Sequence, residues 1–183
     1  MWRATKHKCL FNYISNAVFG QQCGASNRIH DNKSMVKIRK AKREDFEEYL
    51  ELKKKSLKEY SIITQQKIPI NLQEIKKEFE EFFVSPKRFL LIIKENNAYA
   101  GFLIGTLITY VFKKTGYIDD IFIKKEFRRR GFANLLIKNF IRVTKKKEAQ
   151  KLRLGVNPRN GNAIKLYKKL GFKITHYELE KKI

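Results

Sequence analysis

A short basic loop, RRRGFA at residues 128–133, stands between a predicted strand at 117–123 and a predicted helix that begins at Phe132. The first backbone N–H groups of a helix lack intrahelical acceptors, and the helix dipole is positive at that end, so such a loop can hold a phosphate group. Gly131 lets the backbone approach a pyrophosphate closely, Ala133 keeps a nearby position small, and the arginines add charge. Short glycine motifs are weak signals taken singly, so a basic turn with an incidental glycine remains the alternative.

A second polar turn, at residues 157–161, follows a predicted strand at 151–156 and leads into another helix. The apolar stripe of this helix consists of Ala163, Leu166, Tyr167 and Leu170, and the helix ends at Gly171 and Phe172. A tyrosine on such an amphipathic stripe can be an ordinary core residue.

Two neighbouring carboxylates, Asp119 and Asp120, lie on the predicted strand before the basic loop. Because successive residues of a strand point to opposite faces, we expect these side chains to lie on different faces of the sheet. Asp119 is then in register with Ile121 and Ile123. Both aspartates could be solvated or paired with nearby lysines.

Strong periodicity begins at Met35 and predicts a mixed α/β domain over residues 35–183, with the order β-α-α-β-β-β before the basic loop. The expected elements are strands at 36–39, 89–94, 99–112 and 117–123, a helix at 44–60, and a second helix from Leu72 after an Asn71 cap. A turn is expected at residues 113–116, and a further strand around His176, which is interpreted as a structural residue.

Composition limits the class of protein. The 183 residues are 43% hydrophobic, which fits one domain with a sizeable core. The charge-free stretch at residues 98–112 is shorter than the ~20 residues that a membrane helix needs, so a transmembrane protein is excluded. A net charge of +23 attracts anionic partners such as nucleic acid, acidic membrane surfaces or phosphorylated cofactors. The alternative is that the lysines are spread over solvent-exposed helix faces and bind no particular partner.

The first 34 residues differ from the rest. They have no acidic residue before Asp31 and no sustained periodicity, and they contain both cysteines of the chain, Cys9 and Cys23. We expect residues 1–34 to be a disordered, dispensable or mis-assigned extension of a cytoplasmic protein. The alternatives are organelle targeting and a structural role for this segment. Residues 35–183 contain no cysteine, which excludes a cysteine nucleophile there, and no Cys/His cluster suggests a metal site.

The two motifs together resemble those of the GNAT superfamily of N-acetyltransferases. The pattern Arg128-x-x-Gly131-x-Ala133 is similar to that family's acetyl-CoA pyrophosphate loop. The pattern Asn160-x-x-Ala163-x-x-Leu166-Tyr167-x-x-x-Gly171-Phe172 is similar to its second signature in order and spacing. The resemblance covers residues 35–183 and implies a mostly antiparallel, mixed sheet of six to seven strands flanked by about four helices.

The resemblance also implies a function, the direct transfer of acetyl from acetyl-CoA to a primary amine in a ternary complex. Backbone amides at Ile121 and Ile123 would pair with the pantetheine arm, and Asn160 would contact the cofactor near it. The pyrophosphate would be held by the loop residues Arg128, Arg129, Arg130, Gly131, Phe132 and Ala133. Tyr167 would protonate the departing thiolate, which suits a phenol of pKa about 10 and a thiol of pKa roughly 8 to 9.

The family resemblance suggests Asp119 as the base. It matches the position where polyamine acetyltransferases carry a glutamate, and its shorter side chain leaves room for a bridging water. Ribosomal-protein N-terminal acetyltransferases use a glutamate on the later strand, where this chain has Gly155.

Two other functions stay open, a basic nucleic-acid-associated protein and an acyl-CoA sensor without turnover. The acceptor, a protein N-terminus, a lysine or a small-molecule amine, cannot be read from the sequence. The net charge disfavours a polycationic acceptor unless the glutamates of the first two helices, Glu47, Glu48, Glu51, Glu78, Glu80 and Glu81, collect at the pocket. A homodimer is also left open, whereas no membrane association is expected.

Overall fold

A computed structural model describes residues 34–110, 113–179 and 181. Its elements in chain order are β1 (Val36–Lys40), α1 (Phe46–Thr64), α2 (Leu72–Val84), β2 (Arg88–Glu95), β3 (Ala98–Tyr110), β4 (Lys113–Ile123), α3 (Phe132–Lys145), β5 (Lys151–Leu154) and α4 (Gly161–Lys169). Short 3-10 turns at Arg43–Asp45 and Lys125–Phe127 precede α1 and follow β4. Residues 1–33 lie outside the described part, so the dispensable extension stays a prediction.

The five strands form one sheet in the order β1-β2-β3-β4-β5. All neighbouring pairs are antiparallel except β4 and β5, which are parallel. This confirms the mixed, mostly antiparallel sheet flanked by four helices, although the described residues supply five strands rather than six or seven. Residues 172–179, including His176, are not a strand. Ile174, Tyr177 and Leu179 are exposed there, so no burial of an apolar face stabilises an extended pairing.

Helices cover both faces of the sheet. On one face, Leu136 and Phe140 of α3 and Tyr167 of α4 join a buried cluster with alternate strand residues. On the other face, Tyr49 of α1 and Phe79 of α2 pack in a second cluster on the sheet. Each fully buried side chain of this kind contributes about 1.5–3 kcal/mol through removal of apolar surface from water. The sheet is thereby fixed between two cores.

The turn expected at residues 113–116 is wrong, because these residues begin β4 and pair with residues 107–110 of β3. Gly116 is required by close packing rather than by a turn. A Cβ atom there would lie 2.8 Å from Cδ1 of Leu152 and 2.9 Å from Cγ2 of Thr144. The glycine therefore lets α3 and β5 approach β4 closely.

Candidate active site

Strands β4 and β5 separate partway along the sheet. They pair from Thr115 and Lys151 as far as Ile118 and Leu154, where β5 ends. β4 continues to Ile123, and within the described residues no strand pairs with its outer edge from residue 119 onward. An unpaired edge presents backbone N–H and C=O groups that can bind an extended ligand as if it were another strand.

A β-bulge lies at this point of separation. On β3, Ile104 pairs with Asp120 whereas Gly105 pairs with Ile118, so Asp119 is an extra residue without a partner in the register. Bulges at such positions redirect side chains next to binding sites.

The bulge makes the expected alternation of the two aspartates wrong. Asp119 accepts a hydrogen bond from Oγ1 of Thr106 at 2.6 Å, and Asp120 contacts α1. Both therefore lie on the face covered by α1 and α2, whereas Ile118 and Ile121 pack in the α3 core. Asp119 is not in register with Ile121, because the extra residue breaks the two-residue period.

Charged groups of α1 and α2 surround Asp120. Nζ of Lys53 lies 3.1 Å from Asp120 Oδ2 and 3.3 Å from Glu78 Oε2, and Oγ of Ser56 lies 3.4 Å from the same aspartate. The buried Tyr49 hydroxyl donates to Glu78 at 2.7 Å. Burial raises the pKa of Asp120, and the Lys53 ammonium opposes this effect without cancelling it.

Asp119 has a different environment from its neighbour. Burial raises its pKa above the ordinary 3.8, whereas the hydrogen bond from Thr106 acts in the opposite direction. Arg88 and Glu78 are the next charged groups that influence it. A carboxylate with raised proton affinity is better matched to general-base chemistry near neutral pH than an ordinary aspartate is.

The basic loop has the backbone conformation that an anion cradle needs. Arg129 and Gly131 have left-handed backbones, with φ of 59° and 81°, and α3 begins directly afterwards. The first intrahelical bond runs from the N–H of Leu135 to Gly131, so the N–H groups of Phe132, Ala133 and Asn134 have no helical acceptor. A Cβ at Gly131 would meet nothing within 4 Å, so the space above the loop is open. These features fit a pyrophosphate.

Two of the three loop arginines hold the loop in place. Nε of Arg128 donates to the Ile123 carbonyl at 2.8 Å, and its guanidinium pairs with Glu59 of α1 at 2.6 Å. Arg130 pairs with Glu95 at the end of β2. The backbone amides, more than these guanidinium groups, are thus presented to a ligand.

Helix α4 places Tyr167 beside the separated strands. The residue is 9% exposed, its ring contacts Phe172 at a centroid distance of 5.7 Å, and burial together with the nearby Asp120 raises its pKa to about 12. The phenol therefore keeps its proton over the physiological range. Asn160 caps this helix, with Oδ1 accepting from the N–H of Ala163 at 3.1 Å. Gly155 follows β5, and a Cβ there would lie 3.3 Å from the Tyr117 hydroxyl.

Sequence reasoning missed Lys53 and Ser56 entirely and named Glu78 only as one of several helix acids. A signal was present, because Tyr49, Lys53 and Ser56 recur at helical spacing on the buried side of α1. A lysine on an apolar stripe indicates a buried partner. Within residues 34–110, 113–179 and 181, no group of three or more His, Cys, Asp or Glu could hold a metal ion. None of the described helices is long and apolar enough to cross a membrane.

Known proteins resemble this chain in sequence and fold. The profile of the acetyltransferase (GNAT) family matches residues 41–172. A thialysine N-epsilon-acetyltransferase from Bos taurus is 40% identical over 55 residues, which is 30% of this chain and 32% of that relative. The chain thus matches about a third of that relative's length.

Two solved structures share the fold. The aminoglycoside N-acetyltransferase AAC(6')-Iy, bound to a bisubstrate analogue of CoA and acetylneamine, has a TM-score of 0.71 at 20% identity, covering 82% of this chain and 99% of that one. A transcriptional regulator from Bacillus halodurans C-125 has a TM-score of 0.68 at 18% identity, covering 81% of this chain and 100% of that one. With the family profile matching most of the chain, the protein belongs to the acetyltransferase (GNAT) family.

Proposed function

We propose that this chain transfers the acetyl group of acetyl-CoA directly to a primary amine at the separation of β4 and β5. The observation that carries the proposal is a continuous path along one strand. The unpaired edge of β4 ends at Ile123, and the left-handed loop and the open N-terminus of α3 follow within a few residues. The edge suits the amide-rich pantetheine arm, and the helix N-terminus suits the pyrophosphate.

The cofactor roles follow this path. Backbone groups of Ile121 and the N–H of Ile123 pair with the pantetheine arm, and the N–H groups of the loop from Arg129 to Ala133 hold the pyrophosphate. The N–H of Arg128 is not among them, because it donates to the Lys125 carbonyl at 3.2 Å. Asn160 uses its side-chain oxygen as a helix cap, so its amide nitrogen is the group left to contact the cofactor.

The chemical step moves two protons. An alkylamine is protonated at neutral pH and must lose a proton before it can attack the thioester carbonyl, and Asp119 accepts that proton directly or through a water. As the new C–N bond forms and the C–S bond breaks, the thiolate of coenzyme A leaves, and Tyr167, which keeps its proton because it is buried, donates that proton to the sulfur. The second proton that the nitrogen loses on becoming an amide returns to the Tyr167 phenolate through solvent, which restores the acid.

We infer that the acceptor is a small-molecule amine. The matched relatives are named for thialysine and for aminoglycosides, both of which are amine compounds. Of the six helix glutamates considered above, Glu78 lies beside the two aspartates, and Glu81 shares Arg88 with Glu78. Glu51 and Glu80 pair with basic side chains elsewhere. In a chain of net charge +23, three carboxylates around the proposed reaction centre favour an amine that arrives as a cation. A protein N-terminus or lysine is the second candidate, because it presents the same group.

Thiol release from acetyl-CoA over a panel of amines, with thermal shift by acetyl-CoA alone, tests the proposal. Turnover with thialysine or an aminoglycoside, but not with amine-free buffer, is expected. A thermal shift without thiol release with any amine would instead identify a cofactor sensor. If acetyl-CoA gives neither a thermal shift nor thiol release, and the chain binds nucleic acid in a salt-dependent way, the nucleic-acid function replaces the proposal.

A further inference from the structure

The bulge in β4 brings three carboxylates together. Asp119 and Asp120 both lie on the face covered by α1 and α2, and Glu78 of α2 influences the ionisation of both. Neighbouring like charges disfavour one another, so cations are needed to keep them ionised. Glu78 pairs with both Arg88, at 3.4 Å, and Lys53, and the way in which Lys53 is shared decides which aspartate can take up a proton.

Lys53 of α1 pairs with two of the three carboxylates, Asp120 and Glu78, and not with Asp119. Its ammonium bridges Asp120 at 3.1 Å and Glu78 at 3.3 Å, and its side chain is only 12% exposed. The ammonium also lies 5.9 Å from the centroid of the Phe102 ring. The bridge therefore joins α1, α2 and β4 in a partly desolvated place, where ion pairing is stronger than at the surface.

Asp119 has no such partner. The Thr106 hydroxyl is its hydrogen-bond donor, and in the described part of the chain no cation lies within 4 Å of its carboxylate. Two adjacent aspartates on one face thus have different partners, one an ammonium and the other a hydroxyl. Pairs of titratable groups held in different environments divide acid–base roles between them.

We infer that Lys53 is a positioning residue of the acetyl transfer: its ammonium ties Asp120 to Glu78, which leaves Asp119 as the carboxylate that accepts the proton of the acceptor amine. The inference rests on the proposed function. Lys53 acts through the two aspartates and contacts no reacting atom, and the bond-making and proton transfers are those described for Asp119 and Tyr167.

The charged and titratable groups that face the two aspartates come from every neighbouring element. They are Lys53 and Tyr49 of α1, Glu78 of α2, Arg88 of β2 and Tyr167 of α4, with the hydroxyls of Ser56 and Thr106. Removing the Lys53 charge leaves Asp120 desolvated next to Glu78, so Asp120 competes with Asp119 for a proton. The pair then titrates together at a higher pH.

The test compares Lys53→Met, Lys53→Arg and, as the matched control, Lys54→Met, whose side chain pairs with Glu51 on the outside of the same helix. For Lys53→Met we expect the acid limb of kcat to move up by about 1 pH unit and kcat at neutral pH to fall by roughly 10-fold. The KM for acetyl-CoA should not change. Lys53→Arg should recover most of the activity, and Lys54→Met should match the unmodified enzyme.

A lower melting temperature for Lys53→Met with an unchanged pH profile would overturn the inference and make Lys53 merely structural. Should Lys53→Met fail to fold, Glu78→Gln removes a negative charge from the same bridge, and we expect the acid limb to move down in pH. If the acid limb of the kcat–pH profile does not move in Glu78→Gln, a positioning role for Lys53 is also contradicted.

A measurement without turnover separates this inference from the proposed function. Carbon-13 shifts of the aspartate carboxyls, assigned with Asp119→Asn and Asp120→Asn, report both titrations directly. Lys53→Met should raise the pH at which Asp120 titrates, even if no tested amine is acetylated. If the two aspartates titrate at unchanged pH in a Lys53→Met enzyme that still acetylates amines, the role of Lys53 is overturned and the proposed function stands.

Discussion

Gly131 and Gly171 have nearly the same left-handed backbone, with φ of 81° and 86°. At both positions an added Cβ would meet no atom within 4 Å beyond the adjoining residues. They differ in location, because Gly131 precedes α3 at the basic loop whereas Gly171 follows α4. The same substitution therefore imposes the same backbone strain at both glycines, but only Gly131 lies at the proposed pyrophosphate site.

We expect Gly131→Asp to abolish acetyl-CoA binding, since a side chain and a negative charge would both enter the anion cradle. Gly171→Asp should lose a similar amount of stability and keep its affinity. Isothermal titration calorimetry with acetyl-CoA compares the two. Equal affinities would remove the loop from the proposed cofactor site.

Tyr167→Phe keeps the packing of the ring and removes the proton that the phenol could donate. We expect kcat to fall by about 10²-fold or more while acetyl-CoA affinity changes little. Tyr117→Phe, on β4 where the strands are still paired, is the control and should keep its activity. Near-full turnover of Tyr167→Phe at neutral pH would mean that Tyr167 is a core residue and that water protonates the thiolate.

Asp119→Asn should act on the amine side of the reaction. Because the base must be ionised and burial raises the pKa of Asp119, the acid limb of the unmodified enzyme should lie above the usual aspartate range. In Asp119→Asn, activity should recover as the pH approaches the acceptor's own pKa. Thr106→Val removes the hydrogen bond that favours the charged carboxylate, so its acid limb should move upward. Profiles of kcat against pH that coincide for all three proteins would exclude Asp119 as the base.

Asp45 is a structural carboxylate with no exposed surface. Arg39 donates to both of its oxygens, at 2.6 and 2.7 Å, and the Lys42 N–H and the Tyr99 hydroxyl complete its partners. Burial alone would raise the pKa of Asp45, but these donors together hold it well below its usual range. Its contribution to stability is therefore present above the unfolded pKa of about 3.9 and is lost as the pH falls below it.

We accordingly expect Asp45→Asn to lower the free energy of unfolding by about 3–5 kcal/mol at pH 7, because the Arg39 charge is left without its partner. The loss should shrink at pH 3, where the unmodified chain has itself lost part of this stabilisation. Urea unfolding at the two pH values measures both effects. Glu44→Gln, an exposed neighbour paired with Lys42, should change stability by less than about 0.5 kcal/mol.

The sequence alone determined the features that depend on neighbouring residues. The Asn71 cap accepts from the N–H groups of Gln73 and Glu74 as predicted, and the basic loop lies between a strand and a helix as its residue pattern indicates. Tyr167 is buried on the stripe that its spacing predicted. Helix caps, glycine turns and apolar periodicity act over a few residues, so the linear pattern contains the information that they need.

Only the tertiary structure decided the environments of the carboxylates. The bulge at Asp119 depends on the register of β3 against β4, and the ion pair between Lys53 and Asp120 joins residues 67 positions apart. Gly116 is a further example. The local sequence predicts a turn there, but the glycine is required because Leu152 and Thr144 pack closely against it. Register shifts, close packing and buried ion pairs are set by which distant surfaces meet, and no local residue pattern encodes that meeting.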